Sequence, residues 1–329
     1  MPQQLVVIEN KGALATEAPK AARYAENAWS KNTRRTYDIA WRRFQGWCEY
    51  EGRSFPPKGA AGLQAFIEHM AALGDAGLSW STIAHAASAL SQGFQLIGEE
   101  SPLRNNEVRL TLRGLHRSLM EAPQQAKPIT PKQIRHACET IFSDVTPRNT
   151  RDRAVLCLGF AGAFRRSELT GLTLKDIKFH DDQGLLITLR KSKTDQAKKG
   201  RVIGIPYGAR RSTCPVRNLQ AWLALLPKED VARAEGPLFR EIVGRPDREK
   251  IAITPMSDRA VARLVQRATP GQTGYSGHSL RAGFVTEAYK QGKQIAAIKK
   301  QTGHKSVDML HRYIREEDAF KDNAAEGLL

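Results

Sequence analysis

Gln301-Thr-Gly-His304-Lys-Ser-Val-Asp-Met-Leu-His-Arg-Tyr313-Ile-Arg315 is the stretch on which the reading of this chain turns. Gly303 ends one helix and Ser306 can cap the next, whose apolar face is Val307, Leu310 and Ile314. Tyr313 borders that stripe, so packing alone explains it as a core residue. The same lines also place an imidazole, His304, and a phenol on one helix–turn–helix. Two readings stand at this point: an ordinary packed helix end, or two reactive groups held for a substrate.

Upstream of this stretch, Gly277-His278-Ser-Leu-Arg281-Ala-Gly283 opens a helix over 279–291. His278 and Arg281 share one helical face near its N-terminus, where backbone amides favour an anion. A capping or partly buried structural histidine is the alternative. Further upstream, Gly162-Ala-Phe-Arg165-Arg-Ser-Glu168 sets a guanidinium and a carboxylate one helical turn apart. A carboxylate so placed can aim a guanidinium at a phosphate; a surface ion pair explains the spacing equally well. Between these segments, the β-rich runs 185–189 and 201–207 flank a basic loop, Arg190-Lys-Ser-Lys-Thr-Asp-Gln-Ala-Lys-Lys-Gly200. A loop lysine beside a phosphate suits a general acid. The residues alone do not choose among Lys191, Lys193, Lys198 and Lys199, and a solvated basic loop fits too.

At 329 residues the chain has room for two domains. Its formal net charge of +17 favours a polyanionic partner. Residues 1–127 carry 15 Lys+Arg against 12 Asp+Glu, and the remainder carries 36 against 22. The positive field therefore belongs mostly to the C-terminal part. Cys48, Cys138, Cys157 and Cys214 form no C-x-x-C pair and no zinc spacing, which places the chain in a reducing compartment. The longest apolar run, 154–164, is too short to span a membrane, and the N-terminus lacks a secretory pattern. Together these predict a cytoplasmic protein with no membrane partner.

Residues 1–28 have no sustained period and read as a disordered leader, with a weak strand signal at 5–8. Four amphipathic helices follow within 29–121. The first is capped by Ser30 and carries Tyr37, Trp41, Phe44 and Cys48; the second carries Leu63, Phe66, Ile67, Met70 and Leu73. The third is capped near Ser81 and carries Ile83, Ala87, Leu90, Phe94 and Ile97; the fourth carries Val108, Leu112, Leu115 and Leu119. The two-proline segment 122–129 reads as a linker, and Thr130-Pro131 starts a new helix in a domain spanning 130–329. That domain reads as helical with one hairpin, with further helices over 215–226, 258–268, 294–302 and 306–315.

Taken together and in order, Arg165-Arg-Ser-Glu168-Leu, the Lys193 hairpin, His278-Ser-Leu-Arg281-Ala-Gly, and Gly303-His304 with Tyr313 resemble the signature of the tyrosine recombinases, the phage-integrase family. The resemblance runs from about Ser30 to the C-terminus and is closest to simple Cre-like and Xer-like members. His304 stands where the Cre-like branch carries Trp and matches the Xer-like majority. The fold it implies is mainly α with a small β-hairpin or sheet (α+β). A helical core-binding domain and a catalytic domain would form a C-shaped clamp on DNA.

The resemblance implies that Tyr313 attacks the scissile phosphate to give a 3′-phosphotyrosine. Arg165 and Arg281 would clamp the non-bridging oxygens, and His278 and His304 would hydrogen-bond them. Lys193 would protonate the departing 5′-oxygen, and Glu168 would position Arg165. No metal, cofactor or ATP is implied. The implied partner is double-stranded DNA with an inverted-repeat target, bound by a homodimer per site and a homotetramer in the synapse, with strands exchanged through a Holliday junction. Candidate DNA contacts are Lys31, Thr33, Arg34, Arg35 and Thr36 on the first helix, and Ser81, Thr82 and His85 on the third. In the second domain they are Arg259 and Arg263, part of a basic stripe with Arg267. The tail 316–329 can dock on a neighbour, pack in cis or fray. Type IB topoisomerase-like relaxation and a non-catalytic DNA-binding regulator are the alternatives on the same scaffold.

Overall fold

The computed structural model describes residues 29–120, 125–190, 200–304, 306, 307, 309, 310 and 313, and of Lys31 the backbone alone. The expected leader, the strand signal at 5–8, the Lys193 loop, most of the 306–315 helix and the tail lie outside the described residues. The chain divides into two compact units, Met1–Pro123 and Gln124–Leu329.

In the first unit, α1 (Lys31–Tyr50) begins where Ser30 Oγ accepts the Thr33 N–H at 3.1 Å, which satisfies one otherwise orphaned donor of the first turn. Its Trp41, Phe44 and Cys48 stripe is buried. It forms one core with Phe66 and Met70 of α2 (Gly59–Asp75) and Ile83, Leu90 and Phe94 of α3 (Trp80–Leu96). The cap of α3 is Ser79 rather than Ser81. Ser79 has the extended backbone that a cap needs, and Ser81 is already within the first turn, its hydroxyl 3.1 Å from that of Ser79. The helix α4 (Asn106–Ser118) is capped by Asn105, whose Oδ1 accepts from the N–H groups of Glu107 and Val108.

The second unit opens with α5 (Pro131–His136), held by a capping box: Gln133 N–H donates to Thr130 Oγ1 at 3.2 Å, and Thr130 N–H donates to Gln133 Oε1 at 2.8 Å. The central helix α6 (Pro147–Ala161) is buried from Ala154 to Gly159. It is followed by the short α7 (Arg166–Thr170). Next comes an antiparallel sheet of β1 (Ile177–His180), β2 (Gly184–Leu189) and β3 (Arg201–Pro206), in that order, with Ile187 opposite both Ile177 and Ile203. The expected hairpin thus has a third strand. After α8 (Pro215–Leu223) and α9 (Lys228–Ala232), a second sheet pairs β4 (Arg240–Val243) with β5 (Lys250–Pro255).

The last elements are α10 (Asp258–Ala268), α11 (Ser279–Lys290) and α12 (Ile295–Thr302). Helix α6 packs against α8, α10 and α11 in the larger core of the unit. The second half of the expected linker lies on this unit. Lys127 N–H donates to Gly274 O, and fully buried Ile129 donates to Ser279 O at 3.1 Å. The approach is possible because position 283 is glycine: a Cβ there would lie 2.0 Å from Ile129 O. No helix among the described residues is long and apolar enough to cross a membrane.

Candidate active site

Four separate stretches of the second unit meet in one cluster. The turn between α6 and α7 supplies Arg165 as the N-cap residue of α7, with Glu168 as the third residue inside it. Arg165 N–H donates to Glu168 Oε2 at 2.9 Å and its Nη1 donates to Oε1 at 2.7 Å. Glu168 is buried, so this is no surface pair; the carboxylate fixes both the backbone and the guanidinium of Arg165.

Arg281, on α11, is 2% exposed. Its Nη1 donates to Ala163 O at 2.8 Å and its Nη2 to His304 Nε2 at 3.0 Å. Ala163 sits at φ 49, the left-handed region, in the turn just before Arg165. A buried guanidinium is thus held by a carbonyl and an imidazole. Burial, and then repulsion from Arg165, pull its pKa down to about 10, which leaves it cationic at neutral pH.

His304 follows the left-handed Gly303 that caps α12. Burial pushes its imidazole down to about 3, reinforced by Arg281, Arg165 and Arg201 and opposed by Glu168. The Tyr313 ring lies 5.9 Å from that of His304, centroid to centroid, and its carbonyl accepts from Thr286 Oγ1 at 3.2 Å. Tyr313 is half-buried beside a small core of Val285, Ile298 and Leu310, so it borders the packed face and the cationic cluster together.

One member of the cluster was missed in the sequence. Arg201, the first residue of β3, donates from Nη1 to Gln301 O at 3.0 Å, while its Nη2 lies 3.9 Å from Glu168 Oε2. A Cβ at position 303 would sit 2.3 Å from Arg201 Nη1, so the glycine admits the guanidinium. Arg201 has an ordinary strand-start signature; its one sequence sign is its place directly after the glycine that closes the basic loop.

His278 is exposed at the start of α11, one turn before Arg281, and its N–H donates to Ser276 Oγ at 3.2 Å. Lys193 lies outside the described residues, as does the Lys31 side chain. Thr33 and Arg34 are half-exposed, and Arg35 and Thr36 exposed, on the first turns of α1; Ser81, Thr82 and His85 are exposed on the first turns of α3. Arg259 and Arg263 are exposed on α10, opposite buried Val261, Leu264 and Val265. Arg267 leaves that stripe: it donates to buried Asp152 at 2.9 Å and lies over the Phe142 ring at 5.0 Å.

Three guanidiniums, one carboxylate, an imidazole and a phenol thus converge, with Glu168, Arg281 and His304 buried and Arg165, Arg201 and Tyr313 half-buried, an excess of positive charge that suits an anion. The family model for the phage integrase family matches residues 127–319. An integrase/recombinase xerD homolog of Selenomonas ruminantium is 33% identical over 96% of this chain and 90% of its own length. The cre recombinase of Escherichia phage P1 is 23% identical over 89% of this chain and 86% of its own. Among solved structures, the XerH site-specific recombinase bound to a palindromic difH substrate is similar with a TM-score of 0.61 and 17% identity, covering 97% of this chain and 85% of that one. This chain belongs to the phage integrase family and is a site-specific tyrosine recombinase.

Proposed function

We propose that this chain cuts and rejoins duplex DNA through a 3′-phosphotyrosine formed by Tyr313. The observation that carries the reading is the charge balance around His304: among the described residues, Arg281, Arg165 and Arg201 act on it against Glu168. A phosphate brought there would meet fixed positive charge that needs no rearrangement as the transition state gains charge. Arg165 and Arg281 clamp the non-bridging oxygens, and His278 and His304 hydrogen-bond them. Glu168 keeps Arg165 aimed.

A phenol has an ordinary pKa near 10 and needs a proton acceptor in a cationic site. His278 takes that proton as the Tyr313 oxygen bonds to phosphorus. The bond from phosphorus to the 5′-oxygen breaks, and Lys193 gives that oxygen its proton. Attack by a different 5′-hydroxyl reverses these steps and exchanges the strands. The phosphotyrosine ester conserves the free energy of the phosphodiester bond it replaces, so the chemistry needs no ATP.

The DNA partner is a duplex site of inverted repeats, held by a dimer and paired into a tetramer that passes through a Holliday junction. The helix starts of α1 and α3 and the Arg259–Arg263 face of α10 contact it. The place of action is the cytoplasm, on the nucleoid.

A nicked half-site that traps the cleaved state tests the reading. The wild-type chain should yield a covalent protein–DNA adduct, and Tyr313→Phe should yield none. An adduct that survives the substitution assigns the nucleophile elsewhere. A two-site plasmid that is relaxed but never recombined would favour the topoisomerase-like alternative.

A further inference from the structure

His304 is fixed on its far side by a group that the reaction above does not use. Its Nδ1 lies 2.8 Å from Thr302 Oγ1, and Thr302 Oγ1 lies 2.8 Å from Ile298 O. Its Nε2 lies 3.0 Å from Arg281 Nη2. Thr302 is fully buried, and His304 and Arg281 nearly so.

The proton positions in this chain have one solution. A guanidinium only donates and a carbonyl only accepts. His304 Nε2 must therefore present its lone pair to Arg281, and the ring proton sits on Nδ1. That N–H donates to Thr302 Oγ1, and the threonine hydroxyl donates onward to Ile298 O. Reversing any member leaves a buried donor facing a donor, at a cost of about 1–3 kcal/mol. Alanine or valine at position 302 would leave Nδ1–H without its acceptor.

We propose that Thr302 is a positioning residue that sets the tautomer and rotation of His304, holding Nδ1–H so that Nε2 is the nitrogen turned to Arg281 and the phosphate site. The ring that meets a substrate is thereby chosen before the substrate arrives. When a phosphate draws Arg281 to itself, Nε2 takes a proton from solvent and donates to the phosphate, while Nδ1–H stays on Thr302. The ring need not turn. This last consequence rests on the proposed phosphate site; the tautomer does not.

Nitrogen-15 NMR of the imidazole rings in the full chain tests the tautomer, with His304→Gln identifying the resonances. The wild type should show a neutral ring protonated at Nδ1. Thr302→Val should lose that single pattern and form adduct on the nicked half-site about tenfold more slowly, the weight of one hydrogen bond. Thr302→Ser should keep the pattern and stay within about threefold of the wild-type rate. A wild-type ring protonated at Nε2 overturns the proposal without any variant, which covers the case in which the valine variant does not fold. So does a valine variant that keeps the pattern and the rate, or a serine variant that behaves like valine. A wild-type chain that forms no adduct would fail the phosphate reading and leave the ring measurement standing.

Discussion

Glu168 holds Arg165 twice, through the backbone N–H at 2.9 Å and through the guanidinium at 2.7 Å. The second contact aims the side chain; the first fixes the turn that presents it. Glu168→Gln keeps a carbonyl oxygen for one of these contacts and loses the ion pair. It should lower adduct formation by about tenfold to a hundredfold and reduce unfolding free energy by about 1–3 kcal/mol. Denaturant titration beside the half-site assay checks both.

Arg281→Lys keeps the charge and loses the fork that reaches Ala163 O and His304 Nε2 together. Adduct formation should fall by about 10²–10³-fold, the usual weight of one preorganised donor on a developing charge. A rate within about threefold of wild type would mean that charge alone suffices at this position.

The α10 arginines should separate by role. Arg267 is tied to Asp152, so Arg267→Ala should cost about 1–3 kcal/mol of stability and leave the salt dependence of DNA binding unchanged. Arg259→Ala should leave stability alone and reduce the slope of log affinity against log salt by about 1. Binding isotherms at several salt concentrations read the difference.

Acid should weaken both units. Burial first, and Arg43 second, push His69 down to about 4 from 6.5, and its Nδ1 meets no hydrogen-bond partner. His304 is pushed down to about 3. Below pH 6.5 the unfolded chain binds protons that these folded sites refuse. Their contribution is therefore complete above that pH and is lost as pH falls toward the folded values. At pH 4 the loss from His69 is on the order of 3 kcal/mol, and His69→Leu should remove that share of the pH slope. Urea unfolding across pH 7 to 4 measures it.

Lys193→Ala should block cleavage of an ordinary phosphodiester and spare a substrate whose 5′-oxygen is replaced by a better leaving group. Equal loss on both substrates would contradict a general acid at this position.

What could be read in the sequence was local. Ser30, the Thr130-Pro131 start and the whole of α10 announce themselves within a few residues, because caps and periodicity are short-range physics. The pairing of Arg165 with Glu168 followed from spacing, although Arg165 proves to be the cap of its helix rather than a member. The strands β4 and β5 were missed because β4 has only four residues and β5 buries none of its side chains to mark a face; packing of Ile242, rather than pattern, secures them. Arg201 and Thr302 were missed for another reason. Each is ordinary in its own segment, and each gains its part from a neighbour brought in by the fold: Gln301 O and Glu168 for the first, the ring of His304 for the second.

The seam between Ile129 and α11 sets the smallest fragment that can carry this site. A piece cut to begin at Thr130 would keep every residue of α5 and every member of the cationic cluster, and would still strip a buried isoleucine and its bond to Ser279 from the helix that bears Arg281. The second unit therefore begins before its first helix, inside what reads as a tether.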